Sequence, residues 1–466
     1  MVRRNFFIIG LISFVFIYSL LTPSVSTLLQ PDSFGYINFS NVRTSFYPVF
    51  LDIAGYFGVS IEQIPILQVF IFSLSLYYLL ITLSSVFKSR LFLFTYVVIL
   101  MGNVWLVSMH KTILTESIYI SLNIMAISSL INFLHYGSTK YILMFSFMLG
   151  ISMGVRPSGV AMISILPIIL LVAYNKFRKI KWSWIVALVV PIIFTQIIES
   201  SLYRSYHGSS NRGSILPVIV FGKGAMIKGD FKFNGPNSKV LDEFSKEIDL
   251  EFFKVHEFIN EIPYFWLKNQ SIPNYEIYAQ MKLLKDRRHY YAEKAKTSVD
   301  NLIMELGKQR LLQGVDQWLI NAMHHYAASW SLRVTTFPLF VKKYNDWALN
   351  KSYIPFNQKI EYLPLKGDKI PSLISAVVFP GLLIAGILTF VIGLVFIVML
   401  VLKMDIQFSF MLSGLFSVWT HGMLIFYSIV NVATPRYTTS LFPVLLLALM
   451  MFFLFILNMI KIKNGS

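Results

Sequence analysis

The sequence predicts an all-α polytopic membrane protein with about ten transmembrane helices, a long first outer loop and one large helical extracytoplasmic loop. Three observations lead there. Of the 466 residues, 56% are hydrophobic and only 14% charged, whereas a soluble chain carries about a quarter charged residues. Ten stretches are free of Asp, Glu, Lys and Arg and approach or exceed the roughly 20 residues a helix needs to cross a bilayer. Basic residues gather on alternate connections between those stretches, as they do on the cytoplasmic side of a membrane.

In order, the stretches are 5–31, 63–87, 91–110, 117–139, 141–155, 157–175, 182–198, 370–402, 406–435 and 437–460. The fifth and seventh are short, so their ends lie at the headgroups. The eighth and ninth are long, and each includes an interfacial segment. Arg3 and Arg4 ahead of the first stretch allow a cleaved signal peptide. The stretch is longer than a usual signal core and no A-x-A site ends it, so it reads as a retained first helix. With Arg3 and Arg4 in the cytoplasm, that side holds twelve basic residues against one acid, Asp405. The short connections opposite hold Arg43, Lys111, Arg156 and Arg436 against Asp32, Asp52, Glu62, Glu116 and Glu199, with no basic excess. Both termini are therefore expected in the cytoplasm.

The organisation reads as a seven-helix transmembrane module over 1–200 with its first outer loop at 29–62, an extracytoplasmic helical loop domain over 201–371, and a three-helix transmembrane segment over 372–466. The loop domain has no low-complexity stretch. Helices are expected around 239–261 and 276–312, where apolar residues recur every three or four positions. The stretch 311–341 is apolar and aromatic, and is expected on the membrane surface or over the helix bundle. The net charge of +17 is mostly topology, so nucleic acid is not expected as a partner. The chain has no cysteine, which excludes disulfides and thiolate chemistry. Motifs for soluble nucleotides or HExxH zinc are absent.

Polar groups near membrane depth are costly and collect at functional sites. The unusual ones here lie at the outer ends of helices: Asp32, Arg43, Lys111, Glu116, Arg156 and Arg436. Each has a simpler reading. The basic residues can be snorkelling helix ends. Asp32 can cap the turn after Pro31, and Glu116 can be an acid favoured by its helix dipole. Snorkelling explains Arg436 least, because its side of the membrane opposes the basic bias. His324 and His325, about 100° apart on a helix, are poor joint metal ligands and suit a polar surface or acceptor contact. His110 is expected at the outer surface beside Lys111.

The order PDSFGY after the first helix, RTSFYPVFL, TES at 115–117, RP at 156–157 and PRY at 435–437 resembles the GT-C superfamily of polyprenyl-phosphate-sugar-dependent membrane glycosyltransferases. It looks closest to the branch of aminoarabinose transferases and protein O-mannosyltransferases. The resemblance covers about 1–200 and the PRY segment; 201–371 matches nothing in it. It implies a GT-C-like fold and an inverting transfer on the extracytoplasmic face of a bacterial inner membrane, in cell-envelope polysaccharide biosynthesis. The donor would be a polyprenyl-phosphate sugar, the acceptor a glycan, lipid or protein, with membrane lipid as the surrounding partner. The family's catalytic Asp falls on Asp32, acting as base. Some members carry a second acid beside it, where this chain has Ser33, so Glu116 becomes the second acid, orienting the acceptor or helping to hold a divalent cation. Arg43, Arg156, Arg436 and Lys111 would hold the lipid phosphate, with hydroxyls from Tyr36 and Tyr437. Two other readings stand beside this one: a polysaccharide polymerase or ligase of the O-antigen type, and a transporter or flippase of lipid-linked sugar. The latter would place charges at mid-membrane or show broken helices in repeated halves, whereas these spans read as clean.

Overall fold

The structure, a computed structural model, describes residues 2–24, 27–209, 212–262, 265–330, 369–432 and 435–463. Among the described residues it is all helical, with no strand. The helices are α1 (Val2–Leu21), α2 (Ser33–Ile37), α3 (Phe46–Tyr56), α4 (Ile64–Val86), α5 (Arg90–Met101), α6 (Val104–Met109), α7 (Glu116–Tyr136), α8 (Thr139–Val155), α9 (Leu166–Phe177), α10 (Trp182–His207), α11 (Leu216–Ala225), α12 (Ser238–Glu261), α13 (Phe265–Met281), α14 (Lys285–Lys294), α15 (Val299–Gln313), α16 (Val315–Trp330), α17 (Lys369–Val401), α18 (Phe408–Val430) and α19 (Pro435–Lys463). The chain divides into two compact units, one of 1–212, 365–423 and 439–466, the other of 213–364 and 424–438.

Seven described segments are helical, long and apolar enough to cross a bilayer: Ile61–Val86, Glu116–Tyr136, Pro157–Phe177, Trp182–His207, Gly381–Val401, Phe408–Val430 and Arg436–Lys461. The chain is thus a multi-pass membrane protein. The other three expected spans are shorter as helices. The apolar parts of α1 and α8 run Asn5–Leu21 and Thr139–Val155. The stretch 91–110 is two helices, because the chain breaks at Gly102 and Asn103 and the Asn103 side chain accepts from Leu106 N at 3.2 Å to start α6. The spans are also less clean than their lack of charge implied. Asn132 of α7 donates to Thr82 Oγ1 at 2.9 Å, and buried His421 of α18 lies 3.0 Å from Thr389 Oγ1 of α17.

In the first unit α7 is buried along nearly its whole length and packs against α4 and α8. The crossing of α8 and α10 is close because of small residues. A Cβ on Gly150 would stand 2.0 Å from Thr195 Oγ1 of α10, and one on Gly154 would stand 3.0 Å from Glu199 Cγ of α10 and 2.4 Å from the Phe46 ring of α3. Gln196 Nε2 donates to Gly150 O at 2.9 Å across the same crossing. This packing carries the end of α8, with Val155 and Arg156, up against α3 and the end of α10.

The second unit has its own core. Leu241, Phe244, Ile248, Phe252 and Val255 recur at three- and four-residue spacing along α12 and bury against Phe221, Tyr275, Tyr291 and Leu302. The expected helix over 239–261 is α12. The one expected over 276–312 is three helices, with breaks at Leu284 and Lys296, which adopt φ of 48° and 51°. Ser298 then caps α15 through Asn301 N. Of the aromatic stretch 311–341, residues 331–341 lie outside the described residues, and 315–330 form α16.

Candidate functional site

Asp32 occupies the N-cap position of α2 but makes no side-chain capping bond. Its carboxylate accepts from Arg43 Nη2 at 2.7 Å instead, with the Asp side chain 48% exposed and the Arg 25%. The simple capping reading therefore describes the position and not the bond. Arg43 Nη1 donates to the Tyr36 hydroxyl at 3.1 Å, and its guanidinium stacks 4.4 Å from the centre of the Tyr36 ring. Gly35 makes this possible, since a Cβ there would sit 2.9 Å from Arg43 Nε.

From Tyr36 the packing runs inward. Its ring meets Tyr47 edge-on at 5.3 Å. Tyr47 donates to Gln68 Oε1 at 3.0 Å, and Gln68 Nε2 donates to the carbonyls of His110 and Thr112. Burial pushes the Tyr47 phenol well above its ordinary pKa, and the charge of Glu116, then Tyr36, pushes the same way. That phenol is a fixed donor and not a titrating group.

Glu116 opens α7, and its side chain is fully buried. It pairs with Arg156 at 3.1 Å, and that guanidinium also lies over the Tyr119 ring at 5.6 Å. Arg156 ends α8 and is 8% exposed. It is no snorkelling end: its charge is committed inward, to a carboxylate on another helix.

The two ion pairs are linked through the backbone next to Arg43. Thr44 Oγ1 donates to Val155 O at 3.1 Å, one residue before Arg156. Ser45 N donates to Glu199 Oε1, and Ser45 Oγ to Glu199 O, both at 2.9 Å. Arg212 Nη2 meets both Glu199 oxygens at 2.8 Å and stacks on Tyr203, whose hydroxyl donates to Asn41 O. Glu199, 4% exposed at its side chain, therefore anchors the 41–46 segment on α10. In the sequence it counted only as one of the acids at helix ends. The same reasoning that singled out Glu116 could have found it, but its partners, Ser45 and Arg212, lie in segments without a motif.

Glutamine at 199 is expected to loosen this segment. Arg212 would lose its counter-charge, and a hydrogen bond to a charged group contributes about 1.5–3 kcal/mol. Thermal unfolding in detergent should fall accordingly, and trypsin should cut faster after Arg43. Unchanged cleavage at Arg43 would count against the anchor.

Lys111 donates through Nζ to the carbonyls of Leu20, at 2.8 Å, and Thr22. It caps the end of α1, and burial lowers its pKa. His110, expected at a surface, is fully buried, stacked on Phe72 at 3.9 Å with Nδ1 2.8 Å from Ser117 Oγ. Asp32, Tyr36, Arg43, Lys111, Glu116 and Arg156 all belong to the first unit; Arg436 and Tyr437 belong to the second. There, Tyr437 accepts from Asn431 Nδ2 at 3.4 Å and packs on the Tyr427 ring at 4.5 Å. Also in the second unit, His325 is fully buried, not on a surface, and pairs with Glu276, while the adjacent His324 meets Asn269 at 2.7 Å. Among the described residues, no three His, Asp or Glu side chains gather as a metal site.

The first unit also contains an apolar groove of about 610 Å³ among α5, α17 and α19, lined by Phe92, Ile99, Leu382, Leu446 and Phe453 among others. It is wide and greasy enough for a lipid chain.

No family model, curated protein or solved structure matches this chain.

Proposed function

We propose that this protein is an integral membrane glycosyltransferase that moves a sugar from a polyprenyl-phosphate carrier to an extracytoplasmic glycan, lipid or protein. One observation carries the reading above the others: a half-exposed carboxylate, Asp32, is held at 2.7 Å by an arginine whose neighbouring residues are tied to α8 and α10. A reactive acid next to a fixed cation is the pairing such a transfer requires.

In the reaction, Asp32 accepts the proton of the acceptor hydroxyl as its oxygen attacks the anomeric carbon. The bond from that carbon to the phosphate oxygen breaks, and the carrier leaves as polyprenyl phosphate. Arg43, still stacked on Tyr36, shares its guanidinium between Asp32 and the developing phosphate charge, with the Tyr36 hydroxyl beside it. Arg156 is assigned to the phosphate by the resemblance; its guanidinium is held in place by Glu116 and lies over the Tyr119 ring. Lys111 has a capping role in this scheme. Arg436 and Tyr437 are assigned to a lipid phosphate by the resemblance of the PRY segment alone. The carrier's chain occupies the apolar groove. Ten crossings, both termini in the cytoplasm and a bacterial inner membrane complete the reading, and the basic bias of the connections supports the orientation.

The test is chemical. Membranes from cells with and without the gene are incubated with radiolabelled polyprenyl-phosphate sugars, and envelope glycans, lipids and proteins are compared by mass. Label should pass to one fraction only when the protein is present. Identical fractions from both membranes, with the protein inserted, would sink the reading.

A further inference from the structure

We propose that Lys223 is a positioning residue: by capping the end of α18 it fixes the 424–438 segment that carries Arg436 and Tyr437. The inference rests on the reading of Arg436 as a ligand of the lipid phosphate.

Lys223 is the single charge in an otherwise apolar helix, LPVIVFGKGA, and it is 5% exposed. Glycines on both sides let α11 approach its neighbours. A Cβ on Gly222 would stand 2.4 Å from Gln280 Cγ, and one on Gly224 would stand 2.8 Å from Gly307 Cα. The ammonium is thereby carried inside the second unit. There Nζ donates to Ser428 O at 3.3 Å and Asn431 O at 3.1 Å. These are carbonyls at the end of α18, where a helix leaves its last acceptors without intrahelical donors and favours a cation.

A buried ammonium needs a counter-charge, and Glu276 provides it at 3.3 Å, itself 1% exposed. Gln280 Nε2 donates to Glu276 Oε1 at 3.1 Å, and His325 Nε2 lies 2.6 Å from Oε2. Burial alone would raise the Glu276 pKa, but His325 and Lys223 together outweigh it and lower it, so the carboxylate stays charged. Two more bonds hold the same segment: Trp318 Nε1 to Ile429 O at 3.3 Å, and Thr438 Oγ1 to Ser329 O. Asn431, held by Lys223, reaches the hydroxyl of Tyr437, the neighbour of Arg436.

The absence of cysteine allows a direct test. A nitroxide is attached at Val430→Cys, an exposed position of the segment, with a control label at Lys285→Cys on exposed α14, in protein held in phosphatidylcholine nanodiscs. Lys223→Met is combined with Glu276→Gln so that no lone buried charge remains. At position 430 label mobility should rise several-fold in the double variant and return close to the parent value with Lys223→Arg, while position 285 stays unchanged. Unchanged mobility at 430, or an equal rise at 285, would overturn the inference. A second arm measures binding of farnesyl phosphate to the unlabelled proteins. Arg436→Ala and the double variant should each weaken it about tenfold. Full binding by Arg436→Ala overturns the phosphate reading of Arg436. Weak binding by Arg436→Ala beside full binding by the double variant overturns the positioning role.

Discussion

In the proposed glycosyl transfer, asparagine at position 32 is expected to stop the reaction while leaving the protein folded and inserted. Asp32 is 48% exposed at its side chain and does not cap its helix. The pair it makes with Arg43 is partly solvated, and such pairs contribute about 0–1 kcal/mol. Arg43 keeps its contacts to Tyr36 when the charge is removed. The chemical consequence is much larger. Removal of a positioned general base costs about 10²–10⁴ in rate, and asparagine of the same shape cannot take the proton. The check is complementation of a deletion strain, reading transferred sugar by mass spectrometry and membrane insertion by immunoblot. Glutamate at 32 should keep a fraction of the activity. Full transfer by the asparagine variant at normal abundance would remove Asp32 from the mechanism.

The second large effect concerns Glu116 and Arg156. Both are buried, at 0% and 8% exposure, and breaking such a pair from one side leaves an uncompensated charge, which costs about 3–5 kcal/mol. Arg156→Met alone should therefore unfold early in detergent. Combining it with Glu116→Gln removes both charges together, and replacement of a whole buried pair is often neutral. The double variant should regain most of its melting temperature and none of its transfer activity. That split separates stability from function. A double variant that stays unstable would mean the site depends on packing this pair does not explain. One that is stable and active would mean Arg156 holds no phosphate.

Several features are legible in the chain's local patterns. The apolar stretches become helices at nearly the expected positions because a long charge-free run has few other ways to satisfy its backbone in lipid. Titratable residues at the ends of those helices stand out because such groups are costly there. The division of the stretch 91–110 into two helices is not legible, because length along a charge-free run does not show where a helix breaks. An asparagine that caps a new start, as Asn103 does, reads in sequence as one more uncharged residue.

The partners of the singled-out residues are not legible in this way. Asp32 turns to Arg43 and not to its own helix, Glu116, in the first turn of α7, to Arg156, and Lys111 to the end of α1. Lys223 carries no signal among the charges of the loop domain, yet it is buried with Glu276.

The sequence by itself determined the membrane character, the helices and the residues worth asking about, because hydropathy, charge and capping preferences are local properties of the chain. Only the tertiary structure decided which acid meets which cation. That depends on how closely helices distant in sequence can pack, and here the approach is set at glycines such as Gly150 and Gly154, where a single added Cβ would collide with the neighbouring element.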